Sequence, residues 1–436
     1  VKNVALLTAI GFILFMSIGV TAPINSLYAE SLGASYVAIG LLEAVTSLSM
    51  ILSGYVWGRA SDRLGQRKVF LVVGLGTLAV GQGLKAAAPS YEYLFPLNIL
   101  GAIAQAAYVT ISLALMGDLL EQRPDEQGRR MGLYRGLGSL GFSLMAFLSG
   151  GVADRFSIRV PFVLASLVLV VASWLASSIQ EPSPDPTAQV TLRDWIACFR
   201  LVLDSAREAA GAMADQFGGL IRRHPNGEGL VKPGPTSTTD HKGAERLPLN
   251  PLLISTFLWS LAFGAVVTVW PNYMVGELGY TQGDVGRLWS FAAFFEFPLM
   301  ILTGWLSDRI GRLPMLGLGL LAWVVVFGGY VLVPVMPWII VIQLVRGFAY
   351  AAFTATAMTY AAEARPKSER GWASGLYNSS SGIGNVLGSF TGGALAQFTG
   401  FRTMISINAM LILVGAIYVT VVAVRRAARI RKGISC

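Results

Sequence analysis

Gly58-Arg59-Ala60-Ser61-Asp62-Arg63-Leu64-Gly65-Gln66-Arg67-Lys68 is a polar, cation-rich stretch set between two long apolar runs, and it has an echo at Gly304-Trp305-Leu306-Ser307-Asp308-Arg309-Ile310-Gly311-Arg312. Asp62 recurs as Asp308 and Gly65 as Gly311, each 246 residues on. At offsets of 242 to 243, Glu121-Gln122-Arg123-Pro124 recurs as Glu363-Ala364-Arg365-Pro366, Gly132-Leu133-Tyr134 as Gly375-Leu376-Tyr377, and Gly150-Gly151 as Gly392-Gly393. Motifs repeated in the same order at a near-constant offset read as duplication of half the chain, in parallel orientation.

The runs around these motifs set the class. Of 436 residues 54% are hydrophobic and 13% charged, and the mean hydropathy is +0.60, far from a soluble domain. A bilayer core about 30 Å thick needs about 20 mostly apolar residues per helix. Such runs lie near 4–27, 35–57, 69–88, 93–117, 131–152 and 160–179, then 250–275, 282–306, 314–333, 337–361, 372–397 and 401–424. They do not alternate as β-barrel strands would. The expected fold is therefore an all-α polytopic membrane protein: twelve transmembrane helices in two pseudo-symmetric six-helix bundles. The expected domains are 1–180, a linker at 181–249, 250–424, and a basic tail at 425–436.

Lys and Arg gather in alternate connections, with Arg59, Arg63, Arg67 and Lys68 after span 2, then Arg123, Arg129 and Arg130, Arg309 and Arg312, Arg365, Lys367 and Arg370, and the tail. The positive-inside rule places these connections, both termini and the linker in the cytoplasm of a cell whose plasma membrane the chain spans. Anionic membrane lipid accounts for the net charge of +9, with no nucleic acid implied. The first apolar run lacks a small-residue cleavage site, so it is expected to stay as helix 1. Cys198, Cys436, His224 and His241 are all outside the spans and form no metal-ligand or disulfide framework. The Pro- and Gly-rich linker includes a stretch at 191–223 whose Leu192, Trp195, Ile196, Phe199, Val202 and Leu203 recur at helical spacing, as in an amphipathic surface helix.

With its loop motif after span 2 and the echo after span 8, the whole chain resembles the major facilitator superfamily. The residues that carry this are Gly58, Asp62, Arg63, Gly65, Arg67 and Lys68, with Gln66 in place of one Arg, and Gly304, Asp308, Arg309, Gly311 and Arg312. The resemblance implies alternating access around one central site between the halves. Asp62 would face helix 11 and Asp308 helix 5, with Asp118 pairing Arg63 or Arg67, as a latch that exists only when the cytoplasmic side is closed. Gly65 and Gly311 would allow the tight reversal, and Gly58 and Gly304 close helix approach. Gly384-x-x-x-Gly388-Ser389-x-x-Gly392-Gly393 is similar to the family's antiporter motif, but lies on span 11 instead of span 5.

Ionisable residues at membrane depth are costly and so are functional candidates. Glu296 and Glu43 are candidates for proton coupling, and Arg346 either meets Glu296 or binds an anionic substrate group. Asn98, Gln105, Tyr108, Trp259, Gln343, Tyr350, Asn378 and Asn385 are hydrogen-bonding or aromatic residues in spans that line the cavity in the resembled family. The expected function is secondary active transport of a small organic solute, coupled to protons, with efflux preferred, by a monomer that needs no cofactor. Proton-coupled import of a sugar, nucleoside or organic anion is the alternative, and a transporter-like receptor a further one. No nucleophile or phosphate-loop constellation lies in the spans, so no enzyme is expected.

Overall fold

A computed structural model describes residues 2–64, 67–120, 124–179, 248–365 and 370–431. The expected linker helix, Cys198, Gly65 and the side chains of Asp62, Arg63 and Asp118 fall outside the described part. Among the described residues, twelve long helices follow the predicted spans: α1 (Asn3–Ser31), α2 (Tyr36–Leu64), α3 (Lys68–Ala86), α4 (Leu94–Leu120), α5 (Pro124–Arg155), α6 (Val160–Ser177), α7 (Leu249–Asn272), α8 (Gln282–Ile310), α9 (Arg312–Leu332), α10 (Trp338–Glu363), α11 (Arg370–Thr399) and α12 (Phe401–Arg431). All but α11 are apolar enough over a spanning length to cross a membrane. Helix α11 carries Asn378, Ser379, Ser380, Ser381, Asn385 and Ser389, and it packs extensively on both α7 and α2. By contrast α3, α6, α9 and α12 present rows of exposed apolar side chains, such as Leu167, Val170 and Trp174 on α6 and Met410, Val414 and Ile417 on α12, as a lipid-facing surface requires.

Local chemistry marks the helix starts. Thr281 caps α8 with a reciprocal box: its Oγ1 accepts from Asp284 N at 3.0 Å, and Asp284 Oδ2 accepts from Thr281 N at 3.1 Å. Gly311, at φ 96°, turns α8 into α9 in a conformation that suits glycine. Pro23 and Pro271 interrupt α1 and α7. In α1 a 3₁₀ turn (Ala22–Ile24) follows, and α7 continues into a π turn (Tyr273–Glu277).

The halves touch most closely at the end of the bundle opposite the basic loops, through two crossings related by the internal repeat. In one, α2 lies on α11: a methyl group added to Gly40 would fall 2.5 Å from Ser389 O, and one on Gly393 would overlap Tyr36 O. In the other, α8 lies on α5: a methyl on Gly286 would fall 2.6 Å from Ala146 O, and one on Gly150 would overlap Gln282 O. Gly40 and Gly286 differ by the same 246 residues as the loop motifs, and Gly150 and Gly393 by 243. Only residues without a side chain let the backbones come so near.

Each crossing ends in a side chain that caps the start of a helix in the opposite half. Asp154 Oδ2 on α5 accepts from Gly283 N of α8 at 2.7 Å. Gln397 Oε1 on α11 accepts from Tyr36 N of α2 at 3.0 Å. Between them Asn272 Nδ2 donates to Glu30 Oε2 at 2.6 Å, joining α7 to α1. Toward the basic loops the crossings diverge: among the described residues nothing lies within 4 Å of a methyl placed on Gly304 or Gly375.

Overpacking a filled contact costs about 1–3 kcal/mol, so Gly393→Leu is expected to force the far end open. A Thr268→Cys reporter in a chain without Cys198 and Cys436 is then labelled from that end by an impermeant maleimide at least ~5-fold faster. Equal labelling rates would show that other contacts keep this end shut. Asp154→Asn, which keeps the shape and removes an exposed charge from a helix start, is expected to give a smaller increase of about twofold to fivefold in the same assay.

Candidate functional site

The two proline breaks do more than bend the helices. Thr21, Ala22, Asn25 and Ser26 around Pro23, and Thr268 and Pro271 on α7, line one cavity of about 370 Å³. Irregular backbone within a span is tolerated where it faces such a space. The volume falls in the ~300–1,000 Å³ range of small-molecule sites. Both halves contribute walls: Glu43, Thr46 and Ser47 from α2, Gln82 and Lys85 from α3, Asn98 and Gln105 from α4, Phe263 from α7, Trp289 from α8 and Asn385 from α11. Ser47 Oγ donates to Asn385 Oδ1 at 3.1 Å, so the two halves also share a hydrogen bond in the wall.

Of the residues singled out from sequence, Glu43, Asn98, Gln105 and Asn385 meet in this cavity. Glu43 is half-buried on α2. It faces inward, and Lys85 is the cation whose field reaches it. Among the described residues neither side chain has an ion-pair or hydrogen-bond partner, so the two charges face the cavity without direct contact. Sequence reading passed over Gln82, Asn25, Thr46, Ser47 and Trp289. Gln82 and Lys85 are three residues apart, hence on one face of α3, and that pairing of polar groups in an apolar span was the available signal.

The other candidates lie elsewhere, each for a visible reason. Tyr108 is turned into the core of the first half, its hydroxyl 3.2 Å from that of Tyr134, which in turn lies 3.0 Å from Ser112 Oγ. Trp259 stacks on Phe353 with ring centroids 4.7 Å apart and lies 6.0 Å from Tyr350. Gln343 is fully buried and accepts from Tyr330 Oη at 3.1 Å. Asn378 lines a second space of about 270 Å³, with Met50, Ile51, Gly54, Ala106, Val109, Thr110 and Ser379. Met50 borders both spaces.

Glu296 on α8 is half-buried and makes no direct ion pair with Arg346, which acts on it only through space. Arg346 stands behind Trp289, its guanidinium carbon 5.2 Å from that ring's centroid and 5.9 Å from that of Trp270. It is absent from the wall of the larger cavity.

The second-half loop motif forms a compact charge cluster. Arg312 makes an ion pair with Asp308 at 2.6 Å and a two-pronged contact with Glu363, at 2.9 Å from Nε and 2.7 Å from Nη2. It also donates to Ser307 Oγ at 2.9 Å. Arg309 lies over the Trp305 ring, 3.9 Å from its centroid. The Asp308 side chain remains 65% exposed. In this conformation Asp308 is thus held within its own half, and Gly304 faces open space where close approach was expected. Among the described residues a methyl on Gly58 would meet only Thr110, of its own half, at 3.5 Å. The reason is common to both glycines: the helices part at this end.

Comparison with known proteins agrees with this architecture. The maltose permease of Geobacillus stearothermophilus is 26% identical over 384 residues, covering 87% of this chain and 83% of its own. A Deinococcus radiodurans protein named for sugar efflux is 24% identical over 412 residues, covering 93% and 94%. The crystal structure of the nucleoside transporter NupG superposes with a TM-score of 0.72 at 13% identity, covering 97% of this chain and 99% of that one. The model of the MFS_1 like family matches residues 5–406. With twelve helices, paired repeats and a central cavity, the chain belongs to that family of the major facilitator superfamily: it is a multi-pass membrane transporter of small molecules and not an enzyme.

Proposed function

We propose that the chain moves a hydroxyl-rich solute of sugar size by alternating access, with protons as the coupled ion and export as the direction. The observation that carries the substrate class is the wall of the 370 Å³ cavity. It combines the amides Asn25, Gln82, Asn98, Gln105 and Asn385 with the faces of Phe263 and Trp289. Amides offer both donors and acceptors, and sugar hydroxyls need both. The separated Glu43 and Lys85 side chains add an acceptor and a donor that one pair of neighbouring hydroxyls can bridge. A maltose permease and a protein named for sugar efflux among the relatives favour the same class, and the latter, matched over more of both chains, favours export.

On this reading the basic loops face the cytoplasm, the close crossings at the far end seal the outside, and the conformation described is open inward. The latch of Asp62 with α11 and Asp308 with α5 belongs to the other state, and the domain division at 181–249 leaves each six-helix half free to rock. Glu296 is the proton carrier. Among the described residues it has no ion-pair partner to fix its charge, and it sits on the helix that closes against α5, so its surroundings change when the halves rock.

Reconstitution into proteoliposomes with a panel of radiolabelled mono- and disaccharides tests this. An imposed pH gradient is expected to drive accumulation against a sugar gradient, and its polarity reads the direction. Glu296→Gln is expected to lose gradient-driven flux by at least ~100-fold, on the scale of a lost proton-transfer group, while retaining downhill exchange. Sugar flux indifferent to the gradient would remove proton coupling and leave the substrate class standing. In the cavity, Glu43→Gln and Lys85→Met are each expected to raise KM about tenfold with little change in kcat, from the loss of one charged hydrogen bond. Unchanged KM in both would take the pair out of solute binding.

A further inference from the structure

The far-end seal contains a carboxylate to which the cavity gives no role. Glu30, half-buried near the end of α1, accepts from two other helices: from Tyr36 Oη of α2 at 3.0 Å and from Asn272 Nδ2 of α7 at 2.6 Å. The second of these bonds joins the two halves. Asn272 is fully buried, and the same Nδ2 donates at 3.3 Å to Ser26 O, one turn back along α1. Ser26 lines the 370 Å³ cavity, so a single amide ties the wall of the cavity to the carboxylate beyond it. Asn272 Oδ1 is buried with no donor. Among the described residues the Asn272 side chain is therefore held through Nδ2 alone.

Among the described residues no Lys or Arg comes within ion-pair distance of Glu30. On α2 its titratable neighbours are Tyr36 and, two turns further in, Glu43; at the end of α7 they are Tyr273 and Glu277. Glu277 is itself paired with Arg402 of α12 at 3.0 Å. Tyr28, which has Lys85 and Arg159 for neighbours, lies two residues back and so points the other way from α1. The charge of Glu30 is thus read by its two hydrogen-bond donors. Bonds to an ionised group are roughly twice as strong as neutral ones. A proton on Oε2 removes the Asn272 bond, and one on Oε1, where the Tyr36 hydroxyl can accept it, leaves Asn272 only a neutral carbonyl. Turning the amide to accept the proton gains nothing, because Oδ1 would then face Ser26 O, acceptor against acceptor.

We propose that Glu30 is a second proton-binding site, separate from Glu296, and that a proton bound there loosens the seal beyond the cavity. In either protonated form the amide that joins α7 to α1 has lost its charged acceptor, so acid favours parting of the halves at the far end. Glu296 lies midway along α8, whereas Glu30 lies at the far end itself. The site acts on the seal without touching the solute.

The distance across the far end, followed in the purified full-length chain, tests this without reference to transport. Nitroxide labels are placed at Phe156→Cys, between α5 and α6, and at Leu332→Cys, at the end of α9, in a chain without Cys198 and Cys436; both positions are exposed. Pulsed electron-spin distances are recorded from about pH 8 to about pH 4, which spans carboxylate titration. The population with the longer distance is expected to rise about fivefold on acidification, the size of exchanging a charged hydrogen bond for a neutral one. Glu30→Gln, which stands in for the neutral carboxyl, is expected to show the acid distribution at every pH. Should Glu30→Gln not fold, Asn272→Ala decides: it removes the donor, leaves Glu30 in place, and is expected to open the far end with no further response to pH. Asp154→Asn and Glu277→Gln are expected to keep the pH response, whatever their effect on the starting distance. A distance that pH does not move, or a full response that survives in Glu30→Gln or Asn272→Ala, overturns the proposal. Loss of the response in Asp154→Asn, with Glu30→Gln titrating as the wild type does, also overturns it and gives the proton site to α5.

Discussion

The structure depends on backbone meeting backbone at two places. Where α2 crosses α11 and α8 crosses α5, the glycines Gly40, Gly393, Gly286 and Gly150 leave no room for even a methyl group. In lipid there is little hydrophobic drive to push helices together, so close van der Waals contact and interhelical hydrogen bonds must do it. At the far end these contacts concentrate, and the capping of two helix starts by Asp154 and Gln397 is added to them. Toward the basic loops, among the described residues, side chains take over, Phe297 against Gly136 and Ile51 against Gly382, and a methyl placed on Gly304 or Gly375 would meet nothing within 4 Å. The molecule is a pair of six-helix halves in close contact through glycine, with its central cavity beneath the closed end.

This arrangement explains why polar residues gather where they do. A cavity between two bundles must be walled by helices that also slide on one another. Proline breaks in α1 and α7 supply kinks that set Thr21, Asn25 and Thr268 into the wall, and the small, polar face of α11 supplies Asn385 and Ser389. Helix α11 alone of the twelve lacks a continuous apolar window of spanning length, because its polar side chains face α7, α2 and the cavity. Rows of exposed Leu, Val, Ile, Met and Trp side chains give α3, α6, α9 and α12 apolar outer faces of the kind lipid requires.

Much of this was legible in the sequence. The number of spans and their approximate limits follow from the length of apolar runs, since a bilayer imposes one length on every crossing. The repeat was legible because loops with Asp, Arg and Gly at fixed offsets survive as recognisable letters. The cavity was legible only in part. Glu43, Asn98, Gln105 and Asn385 face it, yet Tyr108, Gln343 and Trp259, equally plausible by residue type, do not. A helix interior to a bundle has polar and aromatic residues both toward the cavity and toward neighbouring helices, and a rotation of 100° per residue separates the two. Without knowing how each helix is turned, Tyr108, which meets Tyr134, cannot be told from Gln105, which meets the cavity.

The repeat also shows where the halves have diverged, and the divergence is chemical instead of structural. By the 246-residue offset Glu43 corresponds to Trp289, and Met50 to Glu296. The first half therefore opens a carboxylate and, through Lys85, an ammonium directly into the cavity. At the matching place the second half sets an indole ring in front of a buried guanidinium, and keeps its carboxylate two turns further toward the basic loops. Alignment of the helix ends places Ala104 opposite Arg346, so that guanidinium has no counterpart at the matching position of the first half. At the far end the carboxylate of Asp154 stands opposite the neutral amide of Gln397. Close backbone contacts have stayed alike in the two halves, whereas the side chains around the cavity differ. A single asymmetric solute, held between two similar walls, is distinguished only by such differences.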